Sequence, residues 1–482
     1  MKFLSVSFQY FLVALLVVIY TYVGNFLDRS DFTLLISLVF VCFLSTYYLV
    51  HYSKLSFFSL FVIAFFFRFL FILAIPNFSQ DFYRFIWDGR MLFSGYNPYE
   101  TTPLSWIEKS QFPVGQATQL FEGMGNLNAG HFTNYPPISQ FVYWLAAVFG
   151  NASIRISVVV MRLVLIFSDV LIAYFGVDLL KRMELPKRNI LWYILNPFVI
   201  IEIVGNLHFE SLMVLMLLLS LWSLHRGSYY VSAFFLGCSV AVKLITLLLI
   251  PFFLTYFLRN FFWKTFSFKL WLRYLFFVII VVGVFVVTFL PFLSSQVISN
   301  FTDSVGLWFG KFEFNASVYN LVKACVIYIV GWNLPAQISF VLTSFTLIVL
   351  GYLSFFRGNY EFSTLLGGML LGFTVYLFFS STIHPWYLTT PLLVSLFTPY
   401  RFLRLWTLTV FLSYAAYRNP DSFKEDVFLI AVEYSLVICF LICELFNWRI
   451  LRFVSGAVGN SNPIVKFITR RFTKASNENW KC

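Results

Sequence analysis

Six stretches of this chain, at residues 9–25, 33–50, 57–75, 272–293, 335–356 and 427–446, are predominantly apolar, and each approaches the roughly 20 residues that a helix needs to cross a bilayer. Inside hydrocarbon no water is present to pair the backbone, so each N–H and C=O must be satisfied within its own segment, and such runs must be helices. Strands of a membrane barrel would be about half as long and would alternate polar with apolar residues. Composition agrees: 60% of the 482 residues are hydrophobic and 11% are charged, against about 25% charged in a soluble domain. The sequence therefore predicts an all-α, polytopic membrane protein.

A formal net charge of +12 could suggest a nucleic-acid partner, but its placement argues against one. The basic residues gather in short connections, at 51–54, 181–188, 225–227, from Arg259 to Arg273, at Arg357 and at 400–404, and in the tail from Asn447. That is the pattern of cytoplasmic loops under the positive-inside rule. Threading helices between these anchors predicts about 14 transmembrane helices with both termini inside. Residues 1–56 form two N-terminal helices, 57–446 the main transmembrane domain, and 447–482 a basic cytoplasmic tail resting on anionic lipid. Met1 and Lys2 precede an apolar run without an A-x-A-like site, so a retained first helix is expected. The segment 229–258 is long for one span and short for two, and two short helices meeting near Lys243 are expected. Cys42, Cys238, Cys439 and Cys443 lie in apolar spans and read as small core residues. Arg162 and Asp169, seven apart on one span, are expected to neutralise each other, and Arg68, Glu202 and Glu433 to pair within the membrane.

This threading puts three polar segments on the non-cytoplasmic face: a large first loop at 76–136, a second at 294–334 and a short turn at 381–387. The connection at 205–210 and Lys243 join them. The first loop carries SQDFYRFIWDGRMLFSGYNPYETTP at 79–103. It reads as a helix that stops at Gly95 and turns at Asn97-Pro98. Asp81, Arg84 and Asp88 recur at near-helical spacing and would share one side. Periodicity alone is equally satisfied by an amphipathic helix lying on the membrane surface.

The run D-x-Y-R-F-x-W-D-G-R followed by G-x-N-P-Y resembles the first-loop signature of the GT-C superfamily of integral-membrane glycosyltransferases, and is most similar to its bacterial, mannosyltransferase-like branch. NYPP at 134–137, NPF at 196–198, GNLHFE at 205–210, VKL at 242–244, FNAS at 314–317 and HPWYL at 384–388 extend the resemblance over residues 57 to 400. The resemblance implies that a sugar, with mannose the family-suggested one, leaves a polyprenyl-phosphate carrier and joins a glycan, lipid or protein acceptor at the outer face of the bacterial inner membrane. Two features depart from the pattern. Gln80 precedes Asp81 and Phe82 follows it, so no adjacent carboxylate pair is present to bridge a metal, and a metal-independent reaction without cofactor is expected. Two extra helices, beyond those the pattern has, also precede the signature loop.

An acceptor hydroxyl that attacks an anomeric carbon needs a carboxylate to take its proton, and a departing lipid phosphate needs cationic donors. Asp81 is the candidate base, and a helix N-cap is its alternative role. Asp88 is expected to pair with Arg84 or Arg90. Arg90, Lys243 and His384 are the candidate cations for the donor phosphate. Lys243 lies in apolar sequence, where an ionisable group is costly and usually functional, although snorkelling from a helix end accounts for it equally well. Trp386, Tyr387 and Trp87 can stack on sugar faces or belong to an aromatic belt. His208, Glu210 and Asn315 are candidates for acceptor contact or support. Two rival classes remain: a lipid-linked glycan transporter or flippase, for which repeated halves and midplane polar groups are expected, and an O-antigen ligase- or polymerase-like protein.

Overall fold

The computed structural model describes residues 5–258, 267–310, 312–419 and 423–457. The basic residues from Arg259 to Lys264 and the tail beyond 457 lie outside the described residues. The chain is a polytopic α-helical protein: among the described residues seven helices are long and apolar enough to cross a membrane, and a bent helix pair makes up to eight. Six further apolar helices are shorter, at 10–17 residues.

The first two helices, α1 (Val6–Asn25) and α2 (Phe32–Tyr52), form a hairpin. α1 starts where the Ser5 hydroxyl accepts the Phe8 N–H at 3.2 Å, and α3 (Phe57–Phe69) starts likewise at Ser56, which accepts from Ser59 at 3.0 Å. Such caps satisfy donors that the first turn leaves without intrahelical partners. The first loop then builds three helices, α4 (Asp81–Phe93), α5 (Pro103–Glu108) and α6 (Ala117–Ala129). Next come α7 (Pro137–Gly150) and the long α8 (Ile154–Arg182).

α4 is packed inside the protein and does not lie on a lipid surface. Its face from Arg84 to Met91 is buried because Gly89 lets α7 approach: a Cβ there would stand 2.0 Å from the Tyr143 carbonyl oxygen. The helix ends as expected, with Gly95 at φ +83° and the Tyr96 N–H reaching the Met91 carbonyl at 2.9 Å, a glycine-terminated C-cap.

Two other expectations are corrected. Arg162 and Asp169 do not pair. Asp169 accepts from Arg68 at 2.7 Å, both fully buried, with Ser211 at 2.6 Å on its other oxygen. Arg162 instead donates to the carbonyls of Val204, Gly205, Phe71, Ile72 and Ala74. These carbonyls stand just past the end of α3 and at the end of Val199–Gly205, the second member of a helix pair bent by 57°, so they need donors from elsewhere in a medium without water. Cys42 and Cys238 are buried, but Cys439 and Cys443 face outward. As expected, Glu202 and Glu433 find partners, Tyr414 at 2.6 Å and Trp406 at 2.8 Å.

After the bent pair, α9 (Glu210–His225) and α10 (Tyr229–Val242) pack closely against each other. The apolar segment 229–258 breaks at Lys243, which is extended at φ −154° and ψ 131°, and resumes through a 3₁₀ stretch into Ile250–Leu258. The second loop meets the turn at 381–387 through two backbone hydrogen bonds, Phe314 N–H to Ser381 O at 3.0 Å and Ile383 N–H to Phe314 O at 2.8 Å.

Candidate active site

These connections converge on a cavity of about 370 Å³, within the range of about 300–1,000 Å³ usual for small-molecule sites. Its wall takes residues from all three segments assigned to one face: Phe78 to Asp81, Arg84 and Leu127 to Tyr135 from the first loop, Phe312 to Phe314 from the second, and His384 to Trp386 from the turn. Arg29 between α1 and α2, and Tyr414, Ala416, Tyr417, Phe423 and Glu425, complete it.

Asp81 opens α4 as its first helical residue. The N-cap is Gln80, which makes no side-chain cap bond, so capping does not explain the aspartate. Its Oδ1 receives only a long bond from Asn128 Nδ2, at 3.5 Å. Burial raises its pKa from 3.8 to about 6, with Lys243 and, less strongly, Arg29 pulling it down and Glu210 pushing it up. A carboxylate held near neutrality and thinly hydrogen-bonded suits proton abstraction.

Arg84 reaches the cavity but is committed: Nε bonds Asp88 at 2.8 Å, and the guanidinium also donates to the carbonyls of Asn128 and His131 at 2.9 and 2.7 Å. Asp88 is buried behind it and accepts from Gln140 at 3.1 Å, so the expected pairing is with Arg84. Arg90 does not join the cavity. It sits at the far end of α4 among the Gly115 carbonyl, Gln116 and the Gly150 carbonyl, because the helix carries it two turns past Asp81. Trp87 is buried and likewise absent from the wall.

His384, Trp386 and His208 form a column. Trp386 stacks on His384 with centroids 4.4 Å apart and planes 6° off parallel, and on His208 at 3.6 Å. Burial, with Lys243 nearby, lowers the His384 pKa to about 3, and burial holds His208 well below its ordinary value. Both imidazoles are therefore neutral, and His384 offers hydrogen bonding in place of the expected positive charge. Lys243 lies behind this wall, ion-paired with the buried Glu210, and its ammonium is 5.6 Å from the centre of the Tyr387 ring. Asn315 is fully buried at φ +48°. Its backbone N–H reaches Glu425 and its carbonyl accepts from Tyr434 at 2.8 Å, so it shapes the loop that presents Phe314. Among the described residues no group of three or more His, Cys, Asp and Glu side chains is arranged to hold a metal ion.

A family model described as the N-terminal domain of alpha-(1->6)-mannopyranosyltransferases matches residues 17–259. The chain belongs to that family. Alpha-(1->6)-mannopyranosyltransferase A of Mycobacterium tuberculosis is 23% identical over 190 residues, 39% of this chain and 35% of that relative, so the match spans about a third of the relative's length. In this mannopyranosyltransferase-family chain the matched region holds Arg29, Asp81, Arg84, His208, Glu210 and Lys243. The segments beyond residue 259, which bring Phe314, His384, Trp386 and Tyr417 to the cavity, lie outside it.

Sequence reasoning missed Arg29, Tyr414, Tyr417, Glu313 and Glu425 as cavity residues. Arg29 had a usable signal, because it stands in the short polar connection between the first two apolar runs, on the same face as the signature loop by parity. The tyrosines had none, being indistinguishable by sequence from an aromatic belt.

Proposed function

We propose that this chain is a membrane mannosyltransferase that uses a polyprenyl-phosphate-linked mannose and acts at the non-cytoplasmic face of the bacterial inner membrane. The observation that carries this reading is Asp81, a poorly hydrogen-bonded carboxylate with pKa about 6 on the wall of a cavity lined by Trp386, Tyr414 and Tyr417. The acceptor hydroxyl gives its proton to Asp81 while its oxygen forms a bond to the anomeric carbon. The bond from that carbon to the phosphate oxygen breaks, and its electron pair leaves with the lipid phosphate. Displacement from the opposite side inverts the centre, so a β-linked donor gives an α-linked product, the anomer that the relative's name specifies. Lys243 and Glu210 set the charge on Asp81 from behind the wall, and the rings of Trp386 and the tyrosines provide faces for the sugar.

The test is transfer by the purified protein from synthetic decaprenyl-phosphate mannose, run beside a nucleotide-diphosphate mannose and with chelator. Transfer from the lipid donor alone, undiminished by EDTA, is the expected result. Transfer from the nucleotide sugar, or loss with EDTA restored by magnesium or manganese, contradicts the donor or the metal-free mechanism respectively.

A further inference from the structure

The Arg29 guanidinium enters the cavity from the hairpin of α1 and α2, a part of the chain that the signature motifs do not include. It lies over the Tyr417 ring at 4.7 Å and the Phe423 ring at 5.9 Å from their centroids. Cation–π seating of this kind fixes the plane of a guanidinium while leaving its N–H edge open to a second partner. Among the described residues Arg29 forms no ion pair. Apart from Asp81, the other charged side chains on the wall are engaged. Arg84 is held by Asp88 and two carbonyls, Glu313 by Lys323 and by Tyr319 at 2.6 Å, and Glu425 by the Asn315 N–H.

The connection that carries Arg29 is itself braced. Asp28 Oδ1 accepts the Ser30 N–H at 2.8 Å and its hydroxyl at 2.7 Å. Asn77, four residues before Asp81, donates to the Val23 carbonyl at 2.8 Å and to that of Leu27. The start of the signature loop and the hairpin are thereby tied together, and Arg29 and Asp81 face the same space from separate elements.

We infer that Arg29 is the donor-phosphate anchor: its guanidinium edge takes the lipid phosphate from which the sugar departs, and the N-terminal hairpin is an integral wall of the active site. The inference rests on the proposed lipid-phosphate donor. A planar fork of donors matches a phosphate's oxygens in two places at once, and its fixed charge stabilises the negative charge that builds on the leaving group.

The experiment uses the purified full chain and measures inhibition of mannose transfer by sugar-free decaprenyl phosphate. Arg29→Met should raise the inhibition constant on the order of 10- to 100-fold, the scale of a lost charge-assisted contact. Arg29→Lys keeps a cation on the rings but replaces the fork with a point charge, and should weaken inhibition less. Arg226, seated on Trp222 at 4.4 Å and outside the cavity, is the matched control, and Arg226→Met should leave the constant unchanged. An unaltered constant in folded Arg29→Met, or an Arg29→Lys variant as weakened as Arg29→Met, overturns the inference while leaving the proposed donor standing. A wild-type protein that neither uses the lipid donor nor is inhibited by decaprenyl phosphate overturns both.

Discussion

Burial moves the Asp81 carboxyl from 3.8 to about 6, and this fixes a pH dependence. A base works only when ionised, so kcat/KM should be level above about pH 7 and fall about tenfold per unit below pH 6. Two of the three neighbouring charges that act on it supply a sharper check. Lys243 lowers the Asp81 pKa and Glu210 raises it, so Lys243→Met should move the acid limb to higher pH. Glu210→Gln should move it to lower pH, and the double variant should return it toward wild type. An acid limb that ignores both substitutions would remove Asp81 as the titrating base. At this scale spacing and motif singled out Asp81 as a candidate and left Asp88 to pair with Arg84 or Arg90, and the structure pairs it with Arg84. It also made Arg90 a phosphate ligand, because a sequence does not say how far along a helix the cavity extends. His384 was legible as a candidate in the turn but not as a neutral group, since its charge depends on burial, to which Phe312 and Phe314 of the second loop contribute.

Among the elements, α4 matters most, and its position depends on one residue without a side chain. A methyl group at Gly89 would meet the Tyr143 backbone on α7, and backbone cannot yield as a flexible side chain can. Gly89→Ala should therefore separate α4 from α7, displace Asp81 and Arg84, and lower both the thermal midpoint and turnover; a variant equal to wild type in both would show that the packing does not position the site. The helices themselves were legible from hydrophobic runs and the break at Lys243 from length. The carbonyls freed near Phe71 and Val204 were not, because helix ends and bends inside a span leave little trace in composition. That is why Arg162 was matched to an aspartate seven residues away when it serves five backbone oxygens instead.

For the whole molecule, the charge pattern assigns Gln111 and Lys424 to the outer face and the turn at Arg226 to the cytoplasm. All three positions are exposed. In a background without native cysteines, Gln111→Cys and Lys424→Cys should react with a membrane-impermeant thiol reagent added to intact cells, and Arg226→Cys should not; the reverse pattern would invert the orientation. Convergence of the three polar segments was foreseeable from parity, whereas the entry of the N-terminal hairpin was not, since two helices ahead of a signature loop read as an addition. The proposed transfer depends on the chemistry of one carboxylate in the cavity that these segments enclose. The most direct test is mannose transfer from decaprenyl-phosphate mannose by purified wild type and Asp81→Asn, with folding compared by size-exclusion chromatography. Asparagine keeps the size and much of the hydrogen bonding but loses the basicity, so turnover should fall by about 10² to 10⁴ in a protein that elutes as wild type does; turnover near the wild-type rate would contradict the assignment of Asp81 as the base.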